Sequence, residues 1–170
     1  GTGNYHPRTA RLYTDFDLLT SNAEICADVS EVFQQLTGLG KASRLRHVWQ
    51  APFTLHLRSI KAIENESRIA ASGRKARIIA KMNALLEPEI IAALYEASQA
   101  GVEVELIVRG ISCLRPGLAG VSDRIRVRTI VGRFLEHSRI YWFENGGEPE
   151  VYIGSADLME RNLDRRVEVL

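Results

Sequence analysis

The chain has 170 residues, 45% of them hydrophobic, 25% charged and 7% aromatic, with a formal net charge of +1. Those proportions suit one packed globular unit and exclude low-complexity disorder. No apolar run approaches the ~20 residues that a membrane-spanning helix needs, and no charged-then-apolar leader pattern opens the sequence. Cys26 and Cys113 are too few for a disulfide framework and have no Cys or His neighbours at zinc-ligand spacing, so a reducing, cytoplasmic setting is expected.

In chain order, Leu12 to Leu19 reads as a mixed extended segment that carries Tyr13, Asp15 and Asp17. Ser21 is the expected N-cap of a helix running to about Leu36, with Glu24 completing a capping box and Gly38 as the stop. Ile25, Val29, Val32, Phe33 and Leu36 fall on one face of that helix and predict its buried side. Gly38 to Arg46 is a polar, basic connector, and Val48 to Ala51 a short strand ended by Pro52. Thr54 to about Ala71 predicts a charged helix with Leu57, Ile60 and Ile63 facing inward.

From there strand and helix alternate. Ala76 to Met82 is β-branched and apolar; Glu87-Pro88-Glu89 opens a helix that runs to Gln99 and stops at Gly101. Val102 to Val108 is a strand that delivers Arg109 at its carboxyl end, where open α/β sheets place their ligands. Arg124 to Val131 is a further strand, and Arg139 to Phe143 pairs with Glu150 to Ile153 as a hairpin around Asn145-Gly146-Gly147. A short helical segment over Asp157 to Asn162 precedes a last strand. The expected architecture is α+β, a mixed sheet flanked by helices, in a single domain over 1–170. Both ends read as cut: a turn-like cluster opens the chain and a strand pattern closes it, so a fragment of a longer polypeptide is expected.

Charge points toward anions. Of the 22 basic residues only Lys41, Lys61, Lys75 and Lys81 are lysines; the rest are arginines, whose planar forks match phosphate oxygens in pairs. His137 stands at the start of a strand with Arg139 two residues on, on the same side of the pleat. Glu144 follows at the end of that strand, and Gly154-Ser155 lies on the paired one. This order of imidazole, fixed cation, acid and Gly-Ser resembles the H-x-K-(x)4-D…G-S motif of the phospholipase D superfamily. The chemistry wants these types: an imidazole to attack or protonate a phosphorus-bound oxygen, and cationic and hydroxyl donors to hold the others. Gly1-Thr2-Gly3-Asn4 looks like the tail of a first, paired motif. Three departures stand out: Arg139 replaces the usual lysine, Glu144 the usual aspartate, and no asparagine follows Gly154-Ser155 at the expected place.

Five ordered blocks sharpen the resemblance: GTGNYHPRTARLYTDFDLLT, AKMNALLE, ASQAGVEVELIVRGISCLRPG, IVGRFLEHSRIYWFENGG and YIGSADLMERNLDRRVEV. Together they resemble the C-terminal catalytic region of bacterial polyphosphate kinases over nearly the whole chain, which implies a phospholipase D-like half-domain. The resemblance implies reversible transfer of the ATP γ-phosphoryl group to inorganic polyphosphate through a phosphohistidine, with Mg2+ bound alongside ATP. His137 corresponds to the second catalytic histidine of that family, Tyr13 to its ATP-contacting tyrosine and Arg109 to a nucleotide-phosphate contact. The nucleophilic histidine and the arginines around magnesium belong upstream, so the fragment alone is expected to be inactive.

Lys81, Arg133, Arg139 and Arg166 are added as channel cations, with Ser155 and Asn4 as further phosphate-binding candidates. One unit-charge pair at 4 Å is worth ~4 kcal/mol at an effective dielectric of ~20, so a few converging arginines offset phosphate–phosphate repulsion. The implied partners are ATP, ADP and polyphosphate rather than nucleic acid. A homo-oligomeric full-length protein is expected, and peripheral membrane association stays open. Two other classes remain: a phospholipase D-like phosphodiesterase or transferase, and a non-catalytic polyanion-binding module.

Overall fold

The computed structural model describes residues 1–3, 5–38 and 45–170. Its centre is a mixed five-stranded sheet in the order β5-β4-β3-β7-β8. Here β3 is Arg77–Met82, β4 Glu103–Val108, β5 Ile125–Arg128, β7 Arg139–Phe143 and β8 Glu150–Gly154. The first three run parallel, because α4 (Pro88–Ala100) carries the chain back from β3 to β4; β7 and β8 are antiparallel. Register is fixed by alternation: Ile78, Ala80 and Met82 are buried on the same face as Val104, Leu106 and Val108. Against that face lie α4 and α3 (Leu55–Ala71), and the core between them includes Leu55, Ile63, Ile90 and Leu94.

Local chemistry sets the ends of α4. The Glu87 carboxylate accepts the Ile90 N–H at 2.6 Å, Pro88 occupies the first turn, and Gly101 closes the helix in the left-handed region at φ 107°. The hairpin forms where Asn145-Gly146-Gly147 was expected, as a short 3-10 turn with positive φ at all three residues. Buried Glu66 fastens it, accepting the Asn145 N–H at 2.6 Å and the Arg77 N–H at 3.1 Å. Burial pushes the Glu66 carboxyl above the usual range, and these two donors pull against it.

Several expectations are corrected. The N-cap of α2 (Ala23–Leu36) is Asn22, whose side chain accepts the Glu24 and Ile25 N–H groups; Ser21 and its capping box are not used. On the predicted apolar face of α2 only Val32 is buried, against Leu45 and Val48, while Phe33 is 63% exposed. Ile25 is partly covered, while Val29 and Leu36, like Phe33, stand exposed. The inward stripe of α3 is Leu55, Ser59, Ile63 and Glu66, which leaves Leu57 55% exposed. The strand β5 stops at Arg128, so Val131 lies in an exposed loop. The last helix, α5 (Glu160–Asp164), begins later than the sequence suggested. Residues 39–44 of the basic connector lie outside the described residues.

Five small elements complete the fold, and two of them, a helix near the start and a strand before β7, were not foreseen. The first is α1 (Pro7–Ala10), and β1 (Tyr13–Thr14) pairs in parallel with β6 (Leu135–Glu136). Trp49 exchanges both backbone hydrogen bonds with Leu170, extending the antiparallel pair of β2 (Gln50–Ala51) and β9 (Glu168–Val169). Here Gly154 is required: a Cβ would stand 1.8 Å from the Val169 carbonyl oxygen. No helix among the described residues is long and apolar enough to cross a membrane.

Candidate functional site

The site gathers where β3 and β4 end and β7 begins. His137 sits between β6 and β7, and backbone pairing aims it: the N–H groups of His137 and Ser138 both donate to the Thr14 carbonyl at 3.1 Å. That contact brings Asp15, the residue after β1, against the imidazole. The Asp15 carboxylate oxygen Oδ1 lies 2.9 Å from His137 Nδ1 and accepts the Thr2 hydroxyl at 2.8 Å. Thr2 is itself buried and locked by two backbone-level bonds, its N–H to the Phe16 carbonyl and its Oγ1 from the Phe16 N–H, both 2.9 Å. An ionised carboxylate accepts only, so the hydrogen-bond pattern assigns a proton to Nδ1 and leaves the lone pair on Nε2. The Tyr13 ring packs beside the imidazole with centroids 5.0 Å apart and planes at 52°.

Arg139 lies under the imidazole and is almost fully buried. Its Nη1 hydrogens go to the carbonyl oxygens of Thr2 (2.9 Å) and His137 (3.0 Å). The ring nitrogens at 3.1 and 3.3 Å therefore sit beside the cation without being its main acceptors. The other side of the guanidinium meets Asp157, Nη2 to Oδ2 at 2.9 Å and Nε to Oδ1 at 3.2 Å. Asp157 also accepts the Asn83 N–H at 2.7 Å. Its turn is pinned by Tyr141, whose hydroxyl donates to the Ala156 carbonyl at 2.9 Å. Burial, then the Asp157 charge, push the Tyr141 hydroxyl well above its ordinary value, so it stays a donor throughout the working range.

Above this base opens a cavity of about 270 Å³. His137, Arg139, Ser155 and Asp157 line its floor, and Arg161 and Arg166 stand at its mouth. Both mouth arginines are exposed; Arg166 lies 4.0 Å from Glu168, and Arg161 has no ion pair among the described residues. Surface guanidiniums held this loosely can turn to an incoming polyanion at little cost.

The sequence candidates therefore divide. His137, Arg139, Ser155 and Arg166 share the cavity, and Tyr13 borders His137. Arg139 is the residue whose role changes: its charge is already matched by Asp157, so it positions the imidazole rather than offering a free cation. Lys81 does not reach the cavity. It lies on the other face of β3, bonded to the Ser138 carbonyl at 3.0 Å and 3.3 Å from Glu136. Arg133 is exposed with its guanidinium 5.6 Å over the Phe134 ring. Arg109 emerges from β4 at the same end of the sheet, two strands from Arg139, with a buried Nη1 that has no hydrogen-bond partner among the described residues; it does not line the His137 cavity. Asn4 lies outside the described residues. Glu144 is corrected: it closes the far end of β7 and pairs with Lys75 at 3.1 Å.

Sequence reasoning gave no site role to Asp15, Asp157 or Arg161, whereas Thr2 and Gly3 of the opening Gly1-Thr2-Gly3-Asn4 stub, read as the tail of a paired motif, do line the cavity. Two signals were available. Asp15 follows Tyr13 at the two-residue spacing that puts side chains on one side of an extended segment, and Asp157 occupies the place after Gly154-Ser155 where the superfamily motif has asparagine.

No three-donor metal cluster occurs in this cavity among the described residues. Asp15 is committed to His137 and Thr2, and Asp157 to Arg139, so the carboxylates present do not fit a resident magnesium site.

Comparison with known proteins places the chain. Residues 48–170 match the family model "Polyphosphate kinase C-terminal domain 2", and residues 1–42 match "Polyphosphate kinase C-terminal domain 1". Curated polyphosphate kinases from Burkholderia vietnamiensis and Paraburkholderia phytofirmans are 66% and 63% identical over 169 residues, 99% of this chain and 25% of each relative. The chain thus spans about a quarter of the length of those relatives. The crystal structure of polyphosphate kinase from Porphyromonas gingivalis superposes with a TM-score of 0.94 at 43% identity, covering 99% of this chain and 26% of that one. Nuc from Salmonella typhimurium, a phospholipase D family member, has a TM-score of 0.51 at 18% identity over 72% of this chain and 78% of its own, a likeness of fold. The chain belongs to the polyphosphate kinase family.

Proposed function

We propose that this chain is the His137-bearing half of a phosphoryl-transfer site that moves the ATP γ-phosphoryl group reversibly to inorganic polyphosphate. A histidine in the part of the relatives that this chain does not span attacks the γ-phosphorus, the bond to the bridging oxygen breaks, and ADP leaves. The terminal oxygen of a polyphosphate chain then attacks the phosphohistidine, lengthening the chain by one unit and restoring the imidazole. His137 serves the step from this side. With Nδ1–H held by Asp15, the ring takes its second proton at Nε2, and that Nε2–H donates to the non-bridging or leaving oxygen and can pass to it. Arg161 and Arg166 hold the polyanion at the cavity mouth, and Arg109 meets the nucleotide phosphates from the end of β4, two strands away.

Magnesium, when bound with the nucleotide, would neutralise phosphate charge; this chain offers it no cage of its own. The 170 residues alone are expected to bind polyanions in the cytoplasm-like conditions the composition suits, without turnover.

The reading rests on one observation above the others: Asp15 engages Nδ1 of a histidine that lines a cavity shared with exposed arginines, and Nε2 has no carboxylate partner among the described residues. It is tested in the full-length protein by following labelled phosphate from ATP into polyphosphate. His137→Ala is expected to cut synthesis by about 100-fold or more while leaving the fold intact. Near-normal turnover in that variant would remove His137 from the mechanism.

A further inference from the structure

A second cluster of ligating side chains lies outside the His137 cavity. His56, near the start of α3, meets Glu87 and Glu89 at the start of α4. The imidazole Nε2 stands 3.2 Å from Glu87 Oε2 and 3.7 Å from Glu89 Oε2, and the three donor atoms lie within 4.8 Å of one another. Donors bound to a tetrahedral zinc ion at ~2.0–2.2 Å stand roughly 3.3–3.6 Å apart, so the two His56 separations bracket a tetrahedral edge.

Three further observations bear on the cluster. His56 Nε2 is a fully buried atom with no hydrogen-bond partner, although two carboxylates stand close; its ring edge is not aligned with either oxygen. The opposite ring nitrogen, Nδ1, lies 4.0 Å from Asp164 on α5, beyond hydrogen-bond reach but on the side where an outer carboxylate would stand. Finally, every ion pair made by Glu87, Glu89 and Asp164 among the described residues goes to His56. Three carboxylates therefore share one imidazole, with no lysine or arginine in ion-pair reach among the described residues, although Glu87 Oε2 also accepts the Ile90 N–H at 2.6 Å. A divalent cation would satisfy the orphaned nitrogen and the surplus negative charge together.

We propose that His56, Glu87 and Glu89 form a binding site for a zinc-class divalent cation, with water completing the coordination. One imidazole and two carboxylates suit zinc or a similar transition ion, whereas magnesium prefers an octahedral oxygen shell. The site clasps α3 to α4, and through Asp164 it also braces α5, the helix that carries Arg161 at the cavity mouth. The proposal stands on this cluster alone and is independent of the phosphoryl-transfer reading.

Zn2+ titration of the chelator-stripped full-length protein, followed by calorimetry and by thermal unfolding, tests it. One saturable site is expected, with a rise in melting temperature that a chelator reverses. Glu89→Gln removes an exposed ligand without disturbing the core, and it should weaken zinc at least about ten-fold. His56→Gln should remove the site, and His47→Gln, at a different His–Glu pair, should leave it unchanged. Absence of saturable zinc uptake, uptake indifferent to both His56→Gln and Glu89→Gln, or magnesium bound as tightly as zinc would overturn the proposal.

Discussion

Replacing Asp157 by alanine should destabilise the protein far more than its solvent-facing ion pairs suggest. The Arg139–Asp157 pair is 10% and 9% exposed, held by contacts of 2.9 and 3.2 Å. Removing the carboxylate leaves a buried guanidinium unmatched, which costs about 3–5 kcal/mol. It also takes away the acceptor of the buried Asn83 N–H. For a chain of this length, each kcal/mol shifts the melting temperature by ~2–4 °C, so a fall of roughly 6–20 °C is expected. Urea unfolding with a two-state fit supplies the free energy and calorimetry the midpoint. Arg139→Met added to Asp157→Ala should recover much of the loss, because neither charge is then buried. A cost below ~1 kcal/mol for Asp157→Ala, or strictly additive losses in the double variant, would refute the reasoning.

The remaining predictions concern acid stability, nucleotide binding and the cavity mouth. Burial alone would raise the Asp28 carboxyl, but the backbone N–H groups of Val48, His47 and Arg46, at 2.9, 2.6 and 2.9 Å, outweigh it and hold the group below its ordinary value of 3.8. Its stabilisation is therefore present above that value and lost as pH falls through the lower, folded value. Asp28→Asn should flatten the acid limb of a stability–pH curve in that window, and an unchanged limb would count against it. In the full-length protein, Arg109→Ala should weaken use of ATP by ~1.5–3 kcal/mol, seen mainly in KM for the nucleotide. Arg161→Ala should instead raise the KM for polyphosphate and leave that for ATP nearly unchanged; equal effects on both would contradict its place at the mouth.

Much of the fold could be read in the chain because its central segments obey simple periods. The alternation in β3 and β4, the Pro88 start and Gly101 stop of α4, and the Asn-Gly-Gly turn all appear where local chemistry asks for them. The failures have equally local causes. The α2 face was read as buried from its spacing, yet spacing says which residues align, not what covers them. In α3 the buried row includes Ser59 and Glu66, polar residues that no apolar count selects; Glu66 is buried because two backbone donors need it. The site divides the same way. His137, Arg139 and Ser155 share a short motif and were legible. Asp15 lies 122 positions from His137, and only the β1–β6 pairing brings them together. The exchange of Glu144 for Asp157 as the acid beside Arg139 follows from direction: Glu144 lies at the far end of β7, whereas the hairpin returns the chain to place Asp157 at the near end.

The central claim is that Asp15 holds Nδ1–H of His137, so that Nε2 takes the second proton and donates it to phosphate oxygens when a polyanion binds. Ring-nitrogen NMR of the histidines during a titration with tripolyphosphate tests it most directly. The account predicts an Nδ1–H tautomer for His137 before addition, then a saturable change at its Nε2 that Asp15→Asn weakens and that His47 and His56 do not share. A His137 ring that carries its proton on Nε2 at the outset, or one that stays silent while the other histidines respond, would contradict it.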